Sequence, residues 1–212
     1  MSDYQTCPNC NTPLVNGVAP VNDFAVQAIN LFTSNKSTGF CSKCIRPLFA
    51  EAKSNRVLFI EEKNKQIQAD LPFIPVITLQ YPLKWDYVVL KMVTAQSVTG
   101  EGALTEFTSA FSELFGTQST RLNNKLKNGE NICFAQLRAE ALIAGGNADI
   151  ATDIDYAEVG GIKGMLMVCM SGTAIKLNNI EILPAEVKGA IDRINQNINV
   201  ITLYNKYATI LT

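Results

Sequence analysis

The sequence predicts an α+β protein with a cysteine-rich metal module near its N-terminus. Two CxxC pairs lie within the first 44 residues, a pattern typical of a Cys₄ zinc site. Beyond residue 75, short runs rich in β-branched residues alternate with segments whose apolar residues recur at helical spacing. The 212 residues suffice for one large domain or two small ones.

We expect four segments along the chain. The two prolines Pro72 and Pro75 exclude regular helix around them and favour a boundary there. The predicted segments are a Cys₄ zinc-binding module over 1–55, a connector over 56–75, a strand-and-helix domain over 76–177, and a C-terminal helix and hairpin extension over 178–212.

Composition and charge exclude several classes of protein. Eighteen basic and nineteen acidic residues leave a net charge of −1, and hydrophobic residues make up 47% of the chain. A disordered chain would be richer in charge, and a chain-wide nucleic-acid surface would need excess Lys and Arg. The absence of His removes Ser/His/Asp triads, Cys/His dyads and His-ligated metals. We therefore predict no catalytic and no cofactor-binding residues, and no enzyme activity.

Targeting signals are not evident in the sequence. No apolar run approaches 18 residues, so we expect no membrane span, and the opening MSDYQTC lacks the basic and apolar regions of a secretory signal. Six cysteines are too few for a disulfide scaffold of this size, and their grouping suits a reducing compartment. We expect a cytoplasmic protein.

The four paired cysteines are the strongest candidate site. Cys7 and Cys10 form one pair, Cys41 and Cys44 form the other, and thirty residues separate the pairs. Each CxxC turn directs two thiolates at one ion, and two turns complete a tetrahedron, which favours Zn²⁺. A single iron, an iron–sulfur cluster and two metal-free turns remain alternatives.

The surroundings of the pairs predict helices. Apolar residues over 21–32 follow helical spacing with Asn22 as N-cap, and a second helix should start after Cys44, with Pro47 in its first turn. This knuckle–insert–knuckle–helix order resembles a treble-clef or zinc-ribbon module. Residues 1–55 hold only four basic against three acidic residues, which favours a structural or protein-contact role over nucleic-acid binding.

The remaining helices and strands are predicted from the periodicity of apolar residues and from the positions of Gly and Pro. A helix is predicted over 120–144, ending at Gly145 and Gly146, and its inward apolar stripe comprises Leu122, Leu126, Cys133, Leu137, Ala141 and Ala144. Another helix is predicted to begin at Pro184. A Phe-rich helix is predicted over 104–115. Strands are predicted over 57–60, 76–80, 87–94, 149–156, 165–170, 198–204 and 207–211.

Three stretches of the second domain form long, ordered motifs: VTGEGA at 98–103, GNADIATDIDY at 146–156 and MLMVCMSGTAIKL at 165–177. Together they resemble the YbjQ-like family, small bacterial proteins labelled as heavy-metal-binding. The resemblance covers about 75–177. It implies a small α/β domain that assembles as a homo-oligomeric ring, typically a pentamer, and it implies no established reaction.

Other residues are weaker candidates for chemistry. Asp153 and Asp155 lie two apart on one predicted strand, with Asp149 on the same face, and could hold a hard cation together with Glu101; a solvated polar face is the alternative. Cys133 and Cys169 are predicted core thiols. Gly100, Gly102, Gly160, Gly161 and Gly164 are predicted turn residues, and Trp85 is predicted to be a core or interface aromatic near Tyr81 and Tyr87.

Three functions are consistent with this pattern. The first is a non-enzymatic, zinc-containing, ring-like scaffold that displays Cys₄ modules to an unknown protein partner. The second is a heavy-metal sensor or storage protein that binds a second, exchangeable ion. The third is an enzyme of unknown reaction, for which no nucleophile–base pair is available.

Overall fold

The chain is an α+β protein, as predicted. A computed structural model describes residues 6–7, 9–13, 23–37, 39–99, 121–159 and 165–206. In these ranges four helices accompany three antiparallel strands. The elements are α1 (Asp23–Phe32), α2 (Ser42–Asp70), β1 (Tyr87–Thr99), α3 (Arg121–Ile143), β2 (Ala148–Val159), β3 (Met165–Leu177) and α4 (Ala185–Asn205), with short 3-10 turns at Leu71–Phe73 and Ile180–Ile182.

The described chain divides into two compact units. One comprises Met1–Gln68 with Ile194–Thr212, and the other comprises Ala69–Arg193. In the described residues, no helix combines the length and the hydropathy that a membrane crossing requires.

The sheet and α3 form the core of the second unit. The strand order is β1-β3-β2, so β3 is central and pairs antiparallel with both neighbours. Alternate residues of β3 face α3, among them the buried Val168, Met170 and Ala174. Cys133, Leu137 and Ala141 recur at i, i+4 and i+8 on α3 and are fully buried against them. The predicted inward stripe of this helix is thus confirmed at these positions.

Glycine ends α3 as predicted. Gly145 has φ of 83°, a left-handed conformation that other residues adopt at a cost, and its N–H donates to the carbonyl of Leu142. A Cβ on Gly146 would lie 2.7 Å from the carbonyl oxygen of Ile175. Any other residue at Gly146 would therefore push the helix end away from β3.

A bulge in β2 changes which side chains share a face. The register of β2 on β3 shifts between Ile150 and Asp153, and Ala151 has φ of 53°. Asp149 pairs with Ala174 and so faces α3, whereas Asp153 pairs with Ser171 on the opposite face. The prediction that Asp149 shares a face with Asp153 and Asp155 is wrong, because strict alternation does not hold across a bulge.

The prediction of a strand over 57–60 is also wrong. Helix α2 runs without interruption through this segment to Asp70. Cys44, Leu48 and Ala52 continue a helical stripe into Asn55 and Phe59, and nothing between Pro47 and Asp70 breaks a helix. Pro47 lies in the sixth position of α2 rather than its first turn. The carbonyl group that it leaves unbonded belongs to the exposed Lys43, where water can replace the lost donor.

Two further strand predictions fail. Residues 76–80 form one parallel bridge, between Val76 and Asp149, and no regular strand. Residues 198–204 continue α4. Ile194, Ile201 and Tyr204 fall on one helical stripe there, so the 3.6-residue period prevails over the β-branched composition.

Some predictions lie outside the described residues. They are the helix over 104–115, the strand over 207–211, Asn22 as N-cap, Glu101, and the turn glycines Gly100, Gly102, Gly160, Gly161 and Gly164.

Candidate metal centre

The first cysteine pair lies on a tight hairpin. The N–H of Cys7 donates to the carbonyl of Thr12 at 2.8 Å, and the N–H of Asn11 donates to the carbonyl of Cys7 at 2.7 Å. Thr6 and Pro13 form a bridge that closes the turn, and Asn11 adopts φ of 56°, which Asn tolerates better than most residues. This hairpin directs both thiols toward one side.

The second pair lies where α2 begins. The N–H groups of Cys44 and Ile45 both donate to the carbonyl of Cys41 at 3.0 Å, which starts the helix immediately after Cys41. The N–H of Cys41 donates to the Sγ of Cys7 at 3.5 Å, which joins the two pairs. Backbone donors of this kind stabilise sulfur in its thiolate form.

The structure brings all four predicted thiols together. The Sγ atoms of Cys7, Cys10, Cys41 and Cys44 lie within 4.8 Å of one another, and Cys10 and Cys41 approach to 3.6 Å. Three of the cysteines are buried in the core of their unit, among Val26, Ile29 and Phe40, whereas Cys10 is exposed. In the described parts of the chain these thiols are the single cluster of three or more ligand groups.

The spacing suits one tetrahedral ion. A Zn–S bond length of about 2.3 Å separates tetrahedral sulfurs by roughly 3.8 Å. The Sγ atoms of Cys10 and Cys41 lie close to this separation, at 3.6 Å, and no pair in the cluster exceeds 4.8 Å. A polynuclear iron–sulfur cluster carries its thiolates on different irons and needs a wider cage. The donor set therefore fits a single thiophilic ion, with Cys7, Cys10, Cys41 and Cys44 as its ligands.

The local environment gives the thiols of Cys7, Cys10 and Cys44 different pKa values. Hydrogen bonds from the side chain and the backbone of Thr12 lower the pKa of Cys10 to about 6. Burial opposes ionisation of Cys7, but N–H groups of Cys41, Asn9 and Cys10 outweigh it and lower its pKa. The Asn9 side chain favours the thiolate of Cys44, but neighbouring Cys10 and burial prevail and raise its pKa to about 12. Neighbouring thiolates oppose one another's ionisation, and a bound cation would remove that opposition by coordinating all four.

The other candidates do not assemble into a site in the described residues. Asp153 and Asp155 are exposed on the sheet face opposite α3. Cys133 is fully buried, and burial raises its pKa to about 11, as expected of a core thiol. Trp85 and Tyr87 pack beside Ala148, Ile150 and Ile175, whereas Tyr81 is 82% exposed.

Sequence reasoning missed a buried polar group under α3. Asp149 is completely buried, Thr152 is nearly so, and the guanidinium of Arg138 lies close enough to influence Asp149. Strict alternation along the strand predicts that Asp149 shares the polar face of Asp153 and Asp155. A positive φ at Ala151 has no signature in the sequence, so nothing in the pattern revealed the change of face.

Comparison with known proteins identifies the second domain. Residues 81–178 match a family model, YbjQ_1, described as "Putative heavy-metal-binding". A crystal structure of a protein of unknown function from Pediococcus pentosaceus, assigned to the DUF74 family, is similar at 15% identity over 49% of this chain and 96% of that one, with a TM-score of 0.32. The four clustered cysteines precede the matched residues, so they are a second, separate indication of metal binding. Residues 81–178 are a YbjQ-like domain, and the chain carries a Cys₄ cluster ahead of it.

Proposed function

We propose that this protein is a non-enzymatic, zinc-containing homo-oligomer that displays Cys₄ modules to a protein partner. The convergence of four Sγ atoms within 4.8 Å is the observation that carries the proposal. Six free cysteines, including this cluster, suit the reducing cytoplasm in which we expect the protein to act.

Zinc is the ion that we propose for the cluster. Four thiolates leave no open coordination position, which is typical of structural zinc rather than catalytic zinc. The ion would be held from the hairpin by Cys7 and Cys10 and from the start of α2 by Cys41 and Cys44. Its role would be to join these two elements, because Cys7, Cys41 and Cys44 are themselves part of the core of their unit.

Exposed apolar side chains support self-association. Leu83 is 90% exposed and Tyr81 is 82% exposed in the segment before β1, and Met92 is 70% exposed on β1. Within the described residues β1 pairs on one side only, with β3. An edge strand flanked by exposed apolar groups invites pairing with another chain. We propose that a second copy covers this region and that repetition closes a ring, as in the pentamer that the family resemblance implies.

Metal content per chain tests the zinc proposal. Elemental mass spectrometry should find about one zinc per chain in the wild type and a loss of most of it in Cys44→Ser. Cys133→Ser is the matched control, because Cys133 is also a buried thiol but lies outside the cluster. Equal zinc in Cys44→Ser and the wild type would contradict the assignment, as would iron in place of zinc.

Native mass spectrometry tests the assembly. The wild type should be a closed oligomer at micromolar concentration, and Leu83→Asp with Met92→Asp should shift it toward monomer, since charge opposes burial of these positions. Ile143→Asp, at a position 75% exposed at the end of α3, is the control and should leave the oligomer unchanged. A monomeric wild type would overturn this part of the proposal.

A metal sensor or store is the second candidate. The exposure of Cys10 leaves one ligand open to an incoming thiol, which favours exchange over permanent retention. Radioactive zinc should then exchange within minutes in the presence of millimolar glutathione, whereas a structural ion would be retained for hours. A second labile ion, lost in an Asp153→Ala/Asp155→Ala variant, would favour this candidate further. An enzyme of unknown reaction is the least supported alternative.

A further inference from the structure

The carboxyl group of Asp149 is buried, and within the described residues no hydrogen bond offsets the cost of removing it from water. Its side chain is 0% exposed, and neither oxygen has a hydrogen-bond partner among the described residues. The hydroxyl of Thr152, 5% exposed on the same strand, also lacks a partner there. A buried carboxylate in this state is costly, so the group should be held neutral or should draw a cation toward it.

Arg138 is the cation whose charge acts on Asp149. Its Nε atom donates to the carbonyl of Ile74 at 2.9 Å, and it affects Asp149 through charge without a hydrogen bond to its carboxyl group. Across the sheet, Lys91 lies in the same row as Asp149, but its Nζ pairs with Glu140 at 3.0 Å. The segment 74–79 carries no charged residue. Among the described residues, Arg138 is thus the group able to respond to a charge on Asp149.

The segment 74–79, which we call the strap, forms backbone hydrogen bonds with the residues around Asp149. The N–H of Asp149 donates to the carbonyl of Pro75 at 2.9 Å, and the N–H of Ile77 donates to the carbonyl of Asp149 at 3.0 Å. Two more bonds of 3.0 Å run from Ala151 to Leu79 and from Thr152 to Ile77. The bond from Arg138 to Ile74 holds the start of the strap. One guanidinium therefore has two competing acceptors, the strap and the carboxyl group.

We propose that loss of the proton from Asp149 draws Arg138 away from Ile74 and releases the strap. The neutral carboxyl leaves Arg138 on the Ile74 carbonyl. The carboxylate is the stronger acceptor and favours a two-point contact through the edge of the guanidinium that includes Nε. The start of the strap would then lose the side-chain donor that holds it.

The release should occur near neutral pH. Burial raises the pKa of Asp149 to about 7, and the charge of Arg138 limits the rise. The same burial lowers the pKa of Arg138, while Asp149 opposes that change. A modest change of pH around neutrality would therefore shift the balance between the two arrangements. This inference concerns the unit Ala69–Arg193 and does not depend on the Cys₄ cluster.

Amide hydrogen exchange of the full-length protein tests the proposal. We expect the protection of Ile77 and Thr152, corrected for intrinsic exchange, to fall about fivefold from pH 6 to pH 8.5. Asp149→Asn should abolish this dependence, because the amide cannot ionise. Asp153→Asn is the control, since it neutralises an exposed carboxylate on the same strand, and it should behave as the wild type. Protection of β3 should stay constant, which distinguishes a local release from global unfolding.

A direct titration gives a second test that needs no variant. The ¹³C shift of the Asp149 carboxyl should have its midpoint near 7 in the wild type. A midpoint near 4, or equal protection of the strap at both pH values, would overturn the proposal. A pH dependence that persists in Asp149→Asn would overturn it as well.

Discussion

Two polar side chains at the start of β2 are buried in opposite ways. Asn147 is 2% exposed, and its amide donates to the carbonyl of Leu177 at 3.0 Å and accepts from the N–H of Leu177 at 2.7 Å. Asp149, two residues later, has no partner for either oxygen in the described residues. Hydrogen bonds to Leu177 offset the cost of burying the Asn147 amide, whereas no hydrogen bond from a described residue offsets the cost of burying the Asp149 carboxyl group.

Replacing Asp149 by Asn should stabilise the protein at alkaline pH. The pKa of Asp149 is about 7 in the folded state against an ordinary value of 3.8, so the native state binds the proton more tightly. The stability that depends on this proton is complete below pH 3.8 and is lost as pH rises through about 7. Asp149→Asn should exceed the wild type by at most about 4 kcal/mol at pH 8 and by little at pH 4. Urea denaturation at both pH values measures this, and a gap independent of pH would contradict it.

Removal of the Asn147 amide should be destabilising at any pH. Asn147→Ala leaves the buried N–H and C=O of Leu177 without partners, which should lower the free energy of unfolding by about 2 to 3 kcal/mol. Asn178→Ala is the control, because Asn178 is exposed and its bond to Asp86 is 3.4 Å long. Thermal or urea denaturation should separate the two variants clearly. Similar losses in both would mean that the contact with Leu177 contributes little.

Among the elements, α4 extends the core of the unit that holds the cysteines. Tyr204, near its end, packs edge-on against Phe32 of α1 and Phe59 of α2, each at 5.3 Å between ring centroids. Phe32 and Phe59 themselves lie 6.2 Å apart. Two consecutive helices, α1 and α2, thus meet the distant α4 at one aromatic cluster, so Tyr204 contributes to a core built mainly from the first 68 residues.

Truncating this cluster should weaken the first unit. Tyr204→Ala removes two ring contacts and should lower the free energy of unfolding by about 2 to 3 kcal/mol. Leu203→Ala, at a neighbouring position that is 52% exposed, should cost less than about 0.5 kcal/mol. Denaturant unfolding followed by amide exchange in α1 and α2 measures both. Equal effects would show that the aromatic contacts are not a stabilising feature.

On the scale of the whole molecule, the two units have separate cores. The core of the first includes Cys7, Cys41 and Cys44, whereas the core of the second is formed by the sheet and α3. An ion bound to the thiols would therefore contribute its binding free energy to the first core alone.

Metal removal should consequently unfold one unit and spare the other. A strong chelator at pH 7 should abolish amide protection in α1 and in α2 up to Gln68, while β1 and β3 keep theirs. Acidification should have the same effect, because protons compete with the ion for the thiolates. Exchange mass spectrometry with and without added zinc follows both units at once. Loss of protection in β3 together with α1 would contradict separate cores, and no loss in either would exclude a structural ion.

Local pattern was enough to predict much of this protein. The two CxxC spacings identified the four thiols that the structure brings together, and the apolar stripe through Cys133, Leu137 and Ala141 identified the buried face of α3. These features depend on turns and periods that a few consecutive residues encode. The helix end at Gly145 belongs to the same class, because only glycine adopts its φ readily.

Tertiary contacts decided the rest. Helices α2 and α4 extend through β-branched segments because Phe59 and Tyr204 meet Phe32 across the chain, a contact that no local window contains. Asp149 lies under α3 because a bulge at Ala151 moves the residues beyond it to other faces. The sequence by itself determined which cysteine ligands and which apolar helix faces exist, since each follows from the spacing of residues that are close along the chain. Only the tertiary structure decided how far the helices continue and which carboxyl group is buried. The physical reason is that both depend on the free energy of contacts between residues far apart in the sequence.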